Sequence, residues 1–158
     1  MQPETKKALS KCMALCSKSE KCISDIRKKL SNWQLNEDDA QHIIDTLIDE
    51  KFIDENRFAD SFVRDKFRFN HWGKIKITYQ LKAKGISSSH IVIALEQIDN
   101  EEYSNTLTEL LSQKNKSIKA ETGYERKAKL VRFAQGRGFE YEIIRNIIGE
   151  FPILNSED

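Results

Sequence analysis

The chain has 158 residues, which suits one ordinary domain or a short array of small units. Charged residues make up 32% of it, yet the formal net charge is only +1, so a global polycation or polyanion is excluded. It has six glycines and two prolines, and Pro3 and Pro152 lie near its ends. The turn chemistry that sheets need is therefore scarce, and the sequence predicts an all-α fold.

Apolar residues recur at helical intervals along almost the whole chain. Asn36, Asp54 and Ser87 are suited to cap helix N-termini, and Gly85 and Gly138 suit the left-handed residue that ends a helix. In chain order, the sequence predicts nine helices, at residues 4–17, 19–32, 36–50, 54–69, 73–84, 87–98, 100–116, 121–136 and 139–150.

The nine predicted helices fall into three similar groups. In each group an anchor residue and the residues 5, 9 and 12 positions after it are apolar: Leu35, Ala40, Ile44 and Leu47; Ile86, Ile91, Leu95 and Ile98; Phe139, Ile144, Ile148 and Phe151. Net charge alternates in step with these groups. It is +5, −7, +6, −5, +6 and −4 in residues 1–31, 32–56, 57–86, 87–113, 114–137 and 138–158. We therefore predict three tandem three-helix repeats, at residues 1–52, 53–99 and 100–158, in an elongated molecule that is either straight or curved.

Stacked repeats of this kind could align their basic helices into one positive stripe, although the charges could equally form solvated faces in mutual ion pairs. Phosphate binding by such a stripe is insensitive to sequence and weakens steeply with salt. Arg57 also has a structural alternative, an ion pair with Asp49 or Asp54. The candidate residues for contact with nucleic acid or an acidic protein surface are Arg57, Arg64, Lys66, Arg68, Lys74, Lys76, Lys82, Lys84, Arg126, Lys129 and Arg132.

Residues 57–74 are rich in aromatic as well as basic side chains. We place Phe58, Phe62 and Phe69 on the core side of the fourth helix, and Phe67 off that stripe as an exposed docking residue. Trp72 is expected to pack across the following turn in preference to stacking on a base.

No group of residues predicts an active site. The phosphate-binding motif GxxxxGK[ST] and the zinc motif HExxH are missing, and residues 136–138 (Gly-Arg-Gly) suit a helix end and turn. Acidic clusters lie where helix N-termini favour negative charge. We therefore predict a binding protein and not an enzyme. Two alternatives stay open, namely a transcription-type DNA-binding module, which would need one recognition helix, and a scaffold that binds protein only.

The N-terminal residues lack the apolar segment of a signal peptide, and no run approaches the ~18 apolar residues of a membrane span. Cys12, Cys16 and Cys22 are odd in number and crowded together, which indicates reduced thiols. The histidines are scattered, so packed thiols are favoured over a metal site. We expect a cytoplasmic protein without metal, cofactor or membrane contact.

The second predicted repeat carries the most specific motif. In order it holds Phe52-Ile53-Asp54, Arg57-Phe58-Ala59, Phe62-Val63, Gly73, Ile77, Leu81 and Lys84-Gly85-Ile86. This order resembles the RecX family of regulators of the RecA recombinase, and residues 89–95 and 130–148 resemble later repeats of that family. Lys66 and Gln80 stand where arginine and glutamate are more usual.

The resemblance implies a cytoplasmic bacterial protein of three three-helix repeats without catalytic residues, and we expect it to be a monomer. Such proteins bind the RecA filament on single-stranded DNA and inhibit filament growth, ATP hydrolysis and strand exchange. The resemblance thus implies a role in recombinational DNA repair and in control of the SOS response. Duplex DNA, bound without sequence preference, is a further possible ligand.

Overall fold

The computed structural model describes residues 2–151, which form nine α-helices and contain no strand. In chain order the helices are α1 (Pro3–Lys18), α2 (Ile23–Asn32), α3 (Glu37–Asp49), α4 (Glu55–Arg68), α5 (Lys74–Ala83), α6 (Ser88–Leu95), α7 (Asn100–Ser117), α8 (Gly123–Gly136) and α9 (Tyr141–Gly149). All nine predicted helices are present. The largest differences are at the start of α2, which is four residues later than predicted, and at the end of α6, which is three residues earlier.

The late start of α2 has a cause outside the helix itself. Ser19 and Cys22 have extended backbones, and the segment between them is held by residues of the α4 N-terminus. Glu20 accepts a 2.6 Å hydrogen bond from Arg57, and the backbone N–H of Ile23 donates to Glu55 at 3.4 Å. These tertiary contacts favour a linker where the local sequence would allow a helix.

The predicted caps are confirmed. The Asn36 side chain accepts from the backbone N–H of Asp39 at 2.8 Å, Asp54 accepts from that of Arg57 at 3.1 Å, and Ser87 accepts a longer bond of 3.4 Å at the start of α6. Gly85 and Gly138 have φ values of +83° and +94°, the left-handed region expected of a residue that follows a helix.

The apolar repeat marks the core. Of its twelve residues nine are buried, and the other three, Leu35, Leu95 and Phe151, are half-buried. In each group three of the four positions are buried, so the spacing found in the sequence marks the core side of the helices in all three groups. The exact repeat boundaries stay a prediction.

The described residues divide into two compact units. Unit 1 comprises those up to Phe62 together with Leu81–Ala94, and unit 2 comprises Val63–Gln80 together with those from Leu95 onward. In unit 1, α3 packs against α1 and α2. In unit 2, α7, α8 and α9 pack on one another. The helices α4 and α5 each contribute residues to both units.

The predicted orientations of Phe67 and Phe69 are wrong. Phe67 is buried, with 3% of its surface exposed, whereas Phe69 is 78% exposed. Val63 and Phe67 are four residues apart and share one face of α4, and the Phe67 ring packs against Tyr103 at 5.8 Å. Phe69 lies two residues further on, roughly 200° around the helix from Phe67, and past the last helical residue. Phe58 is buried and Phe62 is half-buried, as expected.

Candidate nucleic-acid interface

In unit 2 the turn between α4 and α5 lies directly against the turn between α8 and α9. The backbone N–H of Gly73 donates to the carbonyl oxygen of Arg137 at 2.7 Å, and that of Ile75 donates to the carbonyl oxygen of Gly138 at 2.9 Å. A Cβ on Gly73 would lie 2.4 Å from the Gly138 carbonyl carbon, and one on Gly138 would lie 2.3 Å from the Cβ of Lys76. Glycine at both positions is therefore what allows backbone to meet backbone here.

Three basic residues have side chains bound to groups in or next to these turns, and we call them the turn cluster: Lys66, Lys76 and Arg137. The Nζ atoms of Lys66 and Lys76 lie 4.9 and 4.7 Å from the centroid of the Trp72 ring. These distances keep the two ammonium groups within about 10 Å of each other, no more than one Debye length at 0.1 M salt. The turn cluster therefore concentrates positive charge on a chain whose net charge is close to zero.

Arg137 joins the turn cluster from the α8–α9 side. Its Nη1 donates to the carbonyl oxygen of Asn70 at 3.2 Å, and its guanidinium carbon lies 5.3 Å from the centroid of the Phe133 ring. Lys114 approaches the same ring, with its Nζ 5.2 Å from the centroid. Aromatic faces thus hold these four cations in place, as the Tyr103 ring does Lys74, an arrangement that limits the side-chain entropy lost when an anion binds.

A buried tyrosine supports the start of α5 beneath the turn cluster. The Tyr103 hydroxyl accepts from the backbone N–H of Lys74 at 2.9 Å and donates to the Glu140 carboxylate. Its ring packs between Phe67 and Phe139, with centroid distances of 5.8 and 5.1 Å. Burial and the hydrogen bond to Glu140 raise the pKa of Tyr103 well above its usual value, so the hydroxyl stays a donor across the physiological range.

The predicted basic residues fall into three groups in the structure. Those that bind protein groups are Arg57, Lys84, Arg126 and Lys129. Those whose amines lie over aromatic rings are Lys66, Lys74 and Lys76. Those that are exposed are Arg64, Arg68, Lys82 and Arg132. The residues of the first group already donate to carboxylate or carbonyl oxygens of the protein. The second group and the third therefore contain the better candidates for an anionic partner.

Arg57 is a structural residue of unit 1. Its Nε donates to Glu20 at 2.6 Å, and its Nη2 donates to the carbonyl oxygen of Lys51 at 3.0 Å. The side-chain partner is therefore Glu20, 37 residues away, and not Asp49 or Asp54 as the sequence suggested.

Lys84 fastens the end of α5 to the start of α2 in unit 1. Its Nζ donates to Asp25 at 2.9 Å, and its carbonyl oxygen accepts from the Ser24 hydroxyl at 2.9 Å. Burial raises the pKa of the Asp25 carboxyl, but hydrogen bonds from Lys84 and Cys22 and the charge of Lys84 together more than offset this, and the net shift is downward. The lysine of the Lys-Gly-Ile motif thus stabilises the packing of the end of α5 against α2, which makes it a poor candidate for contact with a partner.

Arg126 and Lys129 fasten α8 to the end of α7. Arg126 donates from Nη1 to the carbonyl and side-chain oxygens of Asn115, at 2.8 and 2.9 Å. Lys129 donates to the carbonyl oxygen of Lys119 at 2.7 Å and pairs with Glu125 at 3.2 Å. Both satisfy groups that follow or end a helix, a structural role.

Sequence reasoning missed Arg137. It assigned residues 136–138 to a helix end and turn, which is correct because Arg137 is the C-cap of α8. What it did not show is that this turn meets Gly73, about 65 residues earlier in the chain. Gly138, which follows Arg137, was the available signal for a close backbone approach.

Trp72 is half-buried, and its ring faces the turn cluster.

Cys12 and Cys22 are buried and Cys16 is half-buried, and burial raises the pKa of the Cys12 thiol to about 11. Within residues 2–151 no three His, Cys, Asp or Glu side chains are grouped so as to hold a metal ion. None of the described helices has both the length and the apolar character needed to cross a membrane.

Two family models match this chain. The model of the second three-helix domain of RecX matches residues 54–95, and that of the third three-helix domain matches residues 101–148. Relatives named regulatory protein RecX are similar over most of their length. That of Clostridium acetobutylicum is 32% identical over 147 residues, which cover 90% of this chain and 68% of the relative. That of Clostridium botulinum strain Alaska E43 is 33% identical over 151 residues, which cover 92% and 70%.

Solved structures agree with the sequence comparison. A crystal structure of a regulatory protein RecX superposes with a TM-score of 0.84 at 26% identity, covering 92% of this chain and 73% of the other. RecX from Lactobacillus salivarius shares the fold, with a TM-score of 0.78 at 23% identity over 94% of this chain and 97% of that one. With two domain models matched in order and relatives above 30% identity, this chain belongs to the RecX family of regulatory proteins.

Proposed function

We propose that the chain binds the RecA recombinase filament on single-stranded DNA and inhibits filament growth, ATP hydrolysis and strand exchange. The observation that carries this proposal is membership of the RecX family, which implies RecA as a partner. The turn cluster supports it, because it offers an anionic filament a group of cations whose positions are set in advance. In this function the chain acts by binding, as a regulator and not as an enzyme.

Phosphate contact explains how so nearly neutral a chain binds a polyanion. Each Lys or Arg that neutralises a phosphate releases a counterion, which contributes a slope of about −0.7 to log K against log salt on a single strand. Three turn-cluster contacts would therefore give a slope of about −2. The exposed residues Arg64, Arg68, Lys82 and Arg132 would add to this slope if they too reach phosphates.

The decisive experiment is an ATPase titration at two salt concentrations. The purified chain is added to its cognate RecA on single-stranded DNA, and ATP hydrolysis should fall at well below one regulator per recombinase. No inhibition even at excess regulator would overturn the proposal. Inhibition that needs equimolar regulator and disappears when DNA is increased would show competition for DNA instead.

A matched pair of variants tests the turn cluster. The first variant carries Lys66→Gln, Lys76→Gln and Arg137→Gln, and we expect it to need about tenfold more protein for half inhibition. A version without Arg137→Gln keeps the hydrogen bond to the Asn70 carbonyl and guards against misfolding. The control changes three exposed lysines of α1 to glutamine: Lys6, Lys7 and Lys18. Equal loss in the control would mean that total charge matters and the turn cluster does not.

We further propose that the protein works in the cytoplasm as a monomer of three repeats, bounded at residues 52/53 and 99/100. Light scattering of the purified chain at assay concentration checks the oligomeric state. Footprinting on duplex DNA checks the alternative function, because protection of one sequence would indicate a transcription-type module. We expect no sequence-specific footprint, since phosphate contacts do not read base identity.

A further inference from the structure

The helix α5 has apolar side chains on two faces. Ile77 and Leu81 are fully buried, while Ile75 and Tyr79 are 55% and 71% exposed. A helix on the surface of a protein needs one apolar face for packing, and its opposite face is normally polar. Ile75 and Tyr79 are four residues apart and are therefore neighbours on the helix surface. We call this pair the outer stripe.

The helix that carries the outer stripe is basic. The ten residues of α5 include Lys74, Lys76 and Lys82 and no aspartate or glutamate. Lys76 is three residues before Tyr79, so the two are also surface neighbours, and its ammonium group is the one held over Trp72. The outer stripe thus borders the turn cluster within unit 2. A partner that fits both must be anionic and must also present apolar faces.

Single-stranded nucleic acid meets both conditions. Its phosphates are anionic, and its bases expose flat faces that a duplex covers by stacking. We propose that the outer stripe is a base-stacking site, in which the Tyr79 ring stacks on an unpaired base and Ile75 packs beside it. The turn cluster then binds the flanking phosphates. This inference rests on the proposed function and deepens it, because it predicts that single strands bind more tightly than duplex DNA.

The test separates base contacts from phosphate contacts. Fluorescence anisotropy is measured with a labelled oligodeoxythymidine and with an abasic oligonucleotide of equal length, which has the same phosphates but no bases. We expect the wild type to bind the oligodeoxythymidine about tenfold more tightly. Tyr79→Ala should remove this difference, by weakening the first complex about tenfold and leaving the second unchanged. Tyr79→Phe should bind as the wild type, because stacking uses the ring and not the hydroxyl.

Tyr124→Ala is the matched control, since this ring is 79% exposed on α8 of the same unit. Equal binding of both oligonucleotides by the wild type would overturn base stacking, as would an equal effect of Tyr79→Ala on both. A Tyr79→Ala protein that binds oligodeoxythymidine normally but no longer inhibits RecA would place the recombinase on the outer stripe. That result overturns the stacking site and leaves the proposed function standing. Base-dependent binding without any inhibition of RecA would support the stacking site and overturn the proposed function.

Discussion

The backbone contact between the α4–α5 and α8–α9 turns can be tested by placing one methyl group in it. In Gly138→Ala the new Cβ would lie 2.3 Å from the Cβ of Lys76, on a residue whose φ is +94°. This φ costs an L-residue about 1–2 kcal/mol. Separating the turns also loses two backbone hydrogen bonds, of about 1 kcal/mol each. We expect the free energy of unfolding to fall by about 3–4 kcal/mol.

Substitutions at three other glycines separate the cost of backbone strain from the loss of the contact between the two turns. Gly85 has a φ of +83° and open space around it, so Gly85→Ala should cost only the strain, about 1–2 kcal/mol. Gly73 is outside the positive-φ region but would meet Gly138, so Gly73→Ala should lose the contact alone, at least about 2 kcal/mol. Gly136 ends α8 with neither constraint, and Gly136→Ala should be neutral or stabilising by up to about 1 kcal/mol.

Urea unfolding followed by far-ultraviolet circular dichroism gives the four free energies under identical conditions. The ordering, more than any single value, carries the information, because all four changes add the same methyl group. If Gly138→Ala costs no more than Gly85→Ala, and Gly73→Ala is neutral, the backbone contact contributes nothing and the reasoning is refuted.

Three further changes are predicted. Tyr103→Phe should lower stability by about 1–3 kcal/mol in the same urea assay, because the partners of its hydroxyl, Glu140 among them, are left unpaired. Lys84→Met should cost about 1 kcal/mol at pH 7, since the pair with Asp25 is partly exposed. Because that pair lowers the pKa of Asp25, the cost should shrink as pH falls through the lowered value, and a constant cost down to pH 2 would contradict it. Iodoacetamide at pH 8 should modify Cys16 alone in the folded protein, as mass spectrometry of peptides would show, because the other two thiols are buried.

Helices and much of the core could be predicted because their signals are local. Apolar spacing and capping residues lie within a few positions of one another, and they identified all nine helices. The exchange of Phe67 and Phe69 shows the limit. On an ideal continuous helix Phe69 lies only about 20° from Phe58, so the spacing favoured it for the core. The helix ends at Arg68, so Phe69 lies beyond it. Phe67 is buried because it packs against Tyr103, which is far away in the sequence.

The candidate site was harder to predict because partners far apart in the chain decide it. Lys84 and Lys76 look alike in sequence, yet one pairs with a carboxylate 59 residues away, whereas the other lies over an indole ring. Arg126 is similarly occupied by backbone carbonyls at the end of α7, which no charge count reveals. Charge alternation therefore indicated which helices are basic but could not assign a role to each basic residue.

The meeting of Gly73 with Gly138 has a consequence during synthesis. About 65 residues separate the two glycines, and at 5–20 residues per second the ribosome needs roughly 3–13 s to make them. For that time the α4–α5 turn is complete, while its backbone partner does not yet exist. The amides of Gly73 and Ile75, both donors in the finished protein, stay hydrated until the α8–α9 turn emerges. Unit 2 is thus completed from its C-terminal side, and a nascent chain that stops before residue 138 retains an open docking surface for a missing turn.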